Sequence, residues 1–258
     1  MMTFAQCSFT RQQEREKVKR ILAVLLVYFG VFGTTHPVVA GEVTDAEEKA
    51  LAELVEAAKA GNPEAQYHIG HALTYQETDA NTFSTGIIYL ERAAEQGHVL
   101  AMHTLAFFFR PGKVPGKTAT DAFNWYRRAA EAGLAGSQNN LGDMYETGEG
   151  VSKSFGDAIH WYTRSAMQGE PTAYLSLAEC YTKGIGVGRD VVEAYRWWLL
   201  AVKNFKNAPN NRAKAVTEMQ DLEKTMTPQQ IAAGLKLADK FVPLKQTTLT
   251  IGDPQRDK

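Results

Sequence analysis

The sequence predicts an all-α fold, a right-handed α-solenoid of helical-hairpin repeats with helical caps. Three observations predict it. Glycines close successive units at one fixed spacing, at Gly61, Gly97, Gly133 and Gly169, 36 residues apart. Within each unit apolar residues recur at offsets of three and four, so each unit holds two amphipathic helices. The same slots are filled by similar residue types in unit after unit, as expected of elements that each pack on their neighbours. A compact helical bundle is the competing arrangement, and it has no need of a strict period.

Composition sets outer bounds. The chain has 258 residues and a formal net charge of −1, so nothing pulls it toward nucleic acid or an anionic membrane. Its apolar content of 44% is that of a globular protein and argues against wholesale disorder.

Residues 1–40 read as a signal peptide. Arg11, Arg15, Lys17, Lys19 and Arg20 precede the apolar run Ile21–Phe32, and small residues Val38 and Ala40 follow, with cleavage expected after Ala40. An apolar helix of that length spans roughly 18 Å, short of a hydrocarbon core of roughly 30 Å. An uncleaved membrane anchor is the alternative, and the long basic region and Val38 speak for it. The expectation is an exported protein, periplasmic or secreted in a bacterium, touching a membrane only if this segment stays uncleaved. Cys7 would leave with the signal, which leaves Cys180 as the one cysteine of the mature chain. Cys180 shares a repeat slot with Ala72, Phe108 and Met144, so it reads as a buried small hydrophobe.

An N-terminal capping helix covers 41–61. Thr44 and Glu47 form a capping box, and Leu51, Leu54, Val55 and Ala58 line one helical face. Four repeats follow at 62–97, 98–133, 134–169 and 170–205. Their first helices carry Ala65/Ala101/Ser137/Ala173, Ile69/Leu105/Leu141/Leu177, Gly70/Ala106/Gly142/Ala178 and Leu73/Phe109/Tyr145/Tyr181. Their second helices carry Gly86/Ala122/Ala158/Ala194, Tyr89/Trp125/Trp161/Trp197, Leu90/Tyr126/Tyr162/Trp198 and Ala93/Ala129/Ser165/Ala201. Small residues let helices approach and large ones plug the space between them. Asn62-Pro63 supplies a helix start, and Gly148-Glu149-Gly150-Val151 and Gly184-Ile185-Gly186-Val187 supply tight inter-helix turns. Residues 206–242 are capping helices. After a polar break at Asn207–Asn211 a helix is expected over Arg212–Met226, and Thr227-Pro228-Gln229-Gln230 starts another. Residues 243–258 are polar and aperiodic, a flexible tail.

The pattern small-x-x-x-Leu-Gly/Ala-x-x-Tyr, then Gly-x-Gly-Val, then Ala-x-x-Trp-Tyr-x-x-Ala-Ala-x-x-Gly resembles the Sel-one-like repeat, a relative of the tetratricopeptide repeat. The third and fourth repeats fit best. The first has Gln76-Glu77-Thr78-Asp79 where turn glycines belong, and the second has Arg110-Pro111-Gly112-Lys113-Val114-Pro115. The resemblance implies a scaffold for signalling or envelope assembly. It also implies a second reading, a cell-wall-active or β-lactam-hydrolysing enzyme, because some exported members are linked to that chemistry. Those members carry a cysteine pair in each repeat, which this chain lacks.

Candidate chemistry is sparse. Gly112–Thr118 has three residues between its two glycines rather than the four that a phosphate-cradling loop needs, and Pro115 within it and Pro111 just before it remove N–H donors. His68 and His71 share a face of the first repeat, and His103 falls near the slot of His68 in the second. Three imidazoles could converge there on a zinc ion, against the ordinary reading of a solvated polar face. A third reading of the whole chain, a metal or glycan binder, rests on this histidine-rich half. Trp125, Trp161 and Trp197 read as a repeated core plug rather than a stacking ladder for sugars or bases. The polar face of the first helices, curved by stacking into a concave surface, is where a protein or peptide partner is expected. Its outward candidates are Tyr67, His68, His71, His103, Arg110, Asn139, Asn140, Asp143 and Glu179. Asn139 and Asn140 are the sharpest, since paired amides offer donors and acceptors to a peptide backbone. No metalloprotease helix, nucleophile elbow or dinucleotide fingerprint is present, so the expectation is no enzyme and no cofactor.

Overall fold

The computed structural model describes residues 45–75, 80–206 and 208–244, with side chains from residue 49 onward. The expected signal segment 1–40 with Cys7, the Thr44 capping box, the turn at 76–79 and the tail beyond Leu244 lie outside the described residues. Among the described residues there are eleven α-helices and no strand. None of these helices is long and apolar enough to cross a membrane. They fall into two compact units, the first running to Leu105 and the second starting at Ala106.

The first unit holds α1 (Asp45–Lys59), α2 (Pro63–Tyr75), α3 (Ala80–Glu95) and the start of α4 (Val99–Phe109). Asn62 begins α2 as expected, its side chain accepting from the Ala65 N–H at 2.9 Å. Leu51 and Ala58 of α1 pack against Ala65, Ile69, Ala72 and Leu73 of α2, so the capping helix closes the first hairpin. Gly70 and Gly86 bring α2 and α3 together: a Cβ on Gly70 would lie 2.9 Å from the Gly86 carbonyl. Alanine at residue 70 would therefore force this hairpin apart.

The second unit contains α5 (Ala119–Glu131), α6 (Ala135–Thr147), α7 (Phe155–Met167), α8 (Pro171–Lys183), α9 (Val191–Asn204), α10 (Pro209–Glu223) and α11 (Pro228–Lys240). α6 pairs with α7 and α8 with α9, and α10 and α11 both pack on α9. Gly148 and Gly184 end their helices in the left-handed conformation. The second glycine of each turn has an added reason. A Cβ on Gly150 would strike the Ala119 carbonyl at 2.3 Å, and one on Gly186 would lie 2.8 Å from the Phe155 carbonyl. Each turn therefore rests on the start of the preceding second helix, where only glycine fits. The loop Gly112–Thr118 ends in a cap: the Thr118 side chain accepts from the Asp121 N–H and Asp121 answers from its carboxylate.

Three expectations need correction. Trp125 and Trp161 are not core plugs. Both are half-buried, covered by arginines one turn on, with Arg128 4.4 Å and Arg164 4.9 Å from the ring centroids. The plug is the adjacent slot, where Tyr126, Tyr162 and Trp198 are all buried, and Leu90 fills the same slot of the first unit. Tyr145 likewise is half-buried rather than core. Pro209 does not lie in a break but opens α10, because its fixed φ and missing N–H suit a first helical position. Of the expected tail only Pro243 and Leu244 are described, and there the Leu244 N–H donates to the Met167 carbonyl at 2.7 Å. Cys180 is buried, and its removal from water pushes the thiol pKa up to about 12.

Candidate interaction surface

The sequence-predicted residues separate into two groups. In the second unit, side-chain links run from one first helix to the next. Arg110, just after α4, pairs with Asp143 of α6 and with Glu149 at 2.7 Å. Asn139 of α6 accepts from the Ser176 hydroxyl of α8 at 3.3 Å. Glu179 of α8 holds Lys183 at 3.2 Å and Lys214 of α10 at 2.5 Å. Asn139 and Asp143 are four residues apart, and Ser176 and Glu179 three, so each pair shares a helical face. The result is a row of half-exposed polar groups along α6 and α8, with Asn140 beside it.

The electrostatics of the row are settled internally. Burial works against the charge on Arg110, but its hydrogen bonds and charge contacts with Glu149 and Asp143 more than offset this and raise its pKa. Burial alone would raise the pKa of Glu179, yet Lys214 and Lys183 outweigh it and hold the carboxylate ionised. Ser176, Glu149 and Lys214 were not anticipated. Ser176 stands one repeat after Asn140, so stacking the first helices position by position would have exposed it. Glu149 and Lys214 gave no such signal.

The first unit holds a histidine cluster, but not the expected one. Glu64 bridges His68 Nε2 at 2.9 Å and His98 Nε2 at 3.2 Å. His98 Nδ1 accepts from the Ala101 N–H at 3.2 Å, so its proton sits on Nε2 and points at the carboxylate. Tyr67, expected to face outward, is buried and stacked on His98 with ring centroids 4.4 Å apart. Burial raises its pKa to about 12. His71 stacks on Tyr75 at 4.3 Å. Burial lowers the pKa of both His71 and His103 to about 4. The zinc arrangement of His68, His71 and His103 does not form. Glu64 engages His68, and His98 rather than His103 shares that carboxylate. Among the described residues no group of three or more His, Cys, Asp or Glu is placed to hold a metal ion.

A second feature was missed altogether. Gln66 and Gln138 are buried, and their amides donate to the carbonyls of Ala58 and Ala130 at 3.1 and 3.0 Å. Gln96 and Gln168 donate back to them at 2.8 and 2.7 Å. The signal was a recurrence at two repeat lengths, Gln66 with Gln138 and Gln96 with Gln168, which a single-repeat comparison hides.

A family model described as the Sel1 repeat matches residues 63–98, 99–134, 135–170 and 171–204, more than half of the chain. The chain belongs to the Sel1 repeat family. No curated protein matches it. Among solved structures, it is similar to a protective antigen present in uropathogenic Escherichia coli strains and displaying an SLR fold. The TM-score is 0.68 with 25% identity, over 98% of this chain and 54% of the antigen. This Sel1 repeat protein therefore spans about half the length of that relative. It is also similar to a Sel1 repeat protein from Oxalobacter formigenes, with a TM-score of 0.60 and 27% identity over 74% of this chain and 76% of the other. The Sel1 assignment and these likenesses agree with the helical-hairpin repeats seen in each unit.

Proposed function

We propose that this Sel1 repeat scaffold is a non-catalytic binding protein whose first-helix row in the second unit takes an extended peptide segment of a protein partner. The observation that carries the reading is the chain of links Arg110–Asp143, Asn139–Ser176 and Glu179–Lys214, which aligns α6 and α8 as one polar strip. Because the charges there are already paired, recognition falls to hydrogen bonding. Asn139 and Asn140 supply both donors and acceptors for a peptide backbone. The non-catalytic part is supported by the buried, strongly protonated Cys180 thiol and by the commitment of His68 and His98 to Glu64. We infer export as well, on the basic region followed by the apolar run Ile21–Phe32.

Cross-linking in intact cells with mass spectrometry identifies the partner, and Asn139→Ala/Asn140→Ala should release it. If every captured partner stays bound to that variant, the row is not the site. Hydrolysis of a chromogenic β-lactam by purified protein, lost on a point substitution, would overturn the non-catalytic reading. A mature N-terminus at Gly41 is the expected mark of export.

A further inference from the structure

The fourth repeat departs from the third at two linked slots. In the third, the Gln138 side chain is closed by Ala130 and Gln168, and Trp161 is covered by Arg164. In the fourth, Tyr174 replaces that glutamine, and Leu200 stands where the covering arginine would be. Tyr174 and Trp197 stack with centroids 5.7 Å apart, and Phe241, from beyond α11, meets both edge-on at 5.9 and 5.4 Å. Arg196 lies 4.2 Å over the Trp197 ring while its Nη1 donates to Glu193. Tyr174 is 0% and Trp197 4% exposed. Yet the Tyr174 hydroxyl and the Trp197 indole N–H find no hydrogen-bond partner. Buried donors without acceptors are rare, since each loses its water for nothing in return.

The covering segment holds on lightly. Beyond the Phe241 ring it makes the Leu244 N–H bond to Met167, while Val242 and Leu244 are 77% and 62% exposed. Pro243 packs over Gly169: a Cβ built there would lie 3.4 Å from Pro243 and 3.8 Å from the Tyr174 hydroxyl. The hydroxyl and the proline ring thus both lie against Gly169, and the Pro243 side chain offers the hydroxyl no acceptor.

We propose that this seat on the fourth repeat is a peptide-binding site, occupied in the resting chain by Phe241–Leu244. Its preferred ligand is an extended segment of a partner protein carrying an aromatic anchor and, two residues on, a carboxylate. The chain's own segment shows which backbone and anchor the seat accepts. The Tyr174 hydroxyl and the Arg196 Nε, both buried without a partner, show what that segment lacks, an acceptor. The tethered segment competes at an effective concentration on the order of millimolar, so an incoming peptide must exceed it in quality. This site is separate from the first-helix row, and its residues are not shared with it.

The test uses the full chain and fluorescent peptides of the sequence Asp239–Gln246, with fluorescence anisotropy as readout. The own-sequence peptide should bind the Phe241→Ala protein at least about tenfold more tightly than the wild type, because the competitor has lost its anchor. A peptide with glutamate in place of Pro243 should bind about tenfold more tightly again, and Tyr174→Phe should erase that advantage. No binding by the Phe241→Ala protein at about 1 mM peptide, or equal binding of the two peptides, overturns the proposal. An in-chain measurement stands apart from peptide binding. Pro243→Glu should raise the melting temperature above that of Pro243→Gln, and only while Tyr174 is intact. Equal melting temperatures would overturn the acceptor argument. Asn139→Ala/Asn140→Ala should leave peptide affinity unchanged, and a loss there would assign the peptide to the row and sink this seat.

Discussion

Replacing Gln138 by methionine tests how the third repeat is held to its neighbour. Met102 fills the same slot one repeat earlier, so the volume is tolerated in this architecture. Gln138→Met removes two hydrogen bonds, the 3.0 Å bond to the Ala130 carbonyl and the 2.7 Å bond from Gln168. No group is left wholly orphaned. Ala130 keeps the Gly133 N–H at 3.0 Å, and Gln168 keeps the Gly133 carbonyl at 2.9 Å. The cost is therefore that of two net hydrogen bonds, about 1–3 kcal/mol, without the larger penalty of a stranded polar atom. In a Gln168→Ala background one of those bonds is already gone, so the cost should fall by about 1 kcal/mol. Repeat proteins need not unfold in one step. The assay is therefore native-state hydrogen exchange of the α6 and α7 amides, which reports local opening. A change below about 0.5 kcal/mol would show that the glutamine pair is ornamental. A cost above about 4 kcal/mol would show that the methionine strands a group after all.

Two further outcomes are expected. The first unit should lose stability in mild acid: burial lowers the pKa of His71 and His103 from 6.5 to about 4 and also lowers those of His68 and His98. The unfolded chain then takes up protons first, so stability is complete above pH 6.5 and drains as pH falls toward 4. An NMR titration should place the His103 midpoint near 4, and a midpoint near 6.5 would contradict its burial. Among aromatic truncations, Tyr162→Ala should cost about 3–5 kcal/mol and Trp161→Ala less than about 2 kcal/mol, although tryptophan is larger. Tyr162 is 1% exposed and donates to Glu146 at 2.8 Å, whereas Trp161 is half-buried beneath Arg164. Chemical denaturation of the two variants decides the order, and a reversed order would restore the tryptophans as the plug.

Much of this was legible in the chain. The closing glycines, the Asn62-Pro63 and Thr227-Gln230 helix starts and the Gly-x-Gly turns act over four or five residues, and the structure has each of them. Of the candidate row, Arg110, Asn139, Asp143 and Glu179 are drawn into cross-repeat links, and Asn140 lies beside them. Tyr67 and His68 were misplaced for one reason. Their fate rests on Glu64 and on His98, which lies in the next repeat and enters through a cap at Ala101.

The sequence by itself determined that this is a helical-hairpin repeat protein, where most of its helices start, and which broad face of each is apolar. Tertiary structure decided which of two neighbouring aromatic slots is buried, which polar side chains are paired, and that Trp197 is covered by Phe241 while Trp125 and Trp161 keep arginines. The reason is geometric. Adjacent residues on a helix differ by only about 100° around the axis, and an apolar stripe is about that wide. Period alone therefore cannot say which of two neighbours points inward. That choice is made by side chains more than 30 residues away in the chain, such as Glu64 for His98, Ser176 for Asn139 and Phe241 for Trp197.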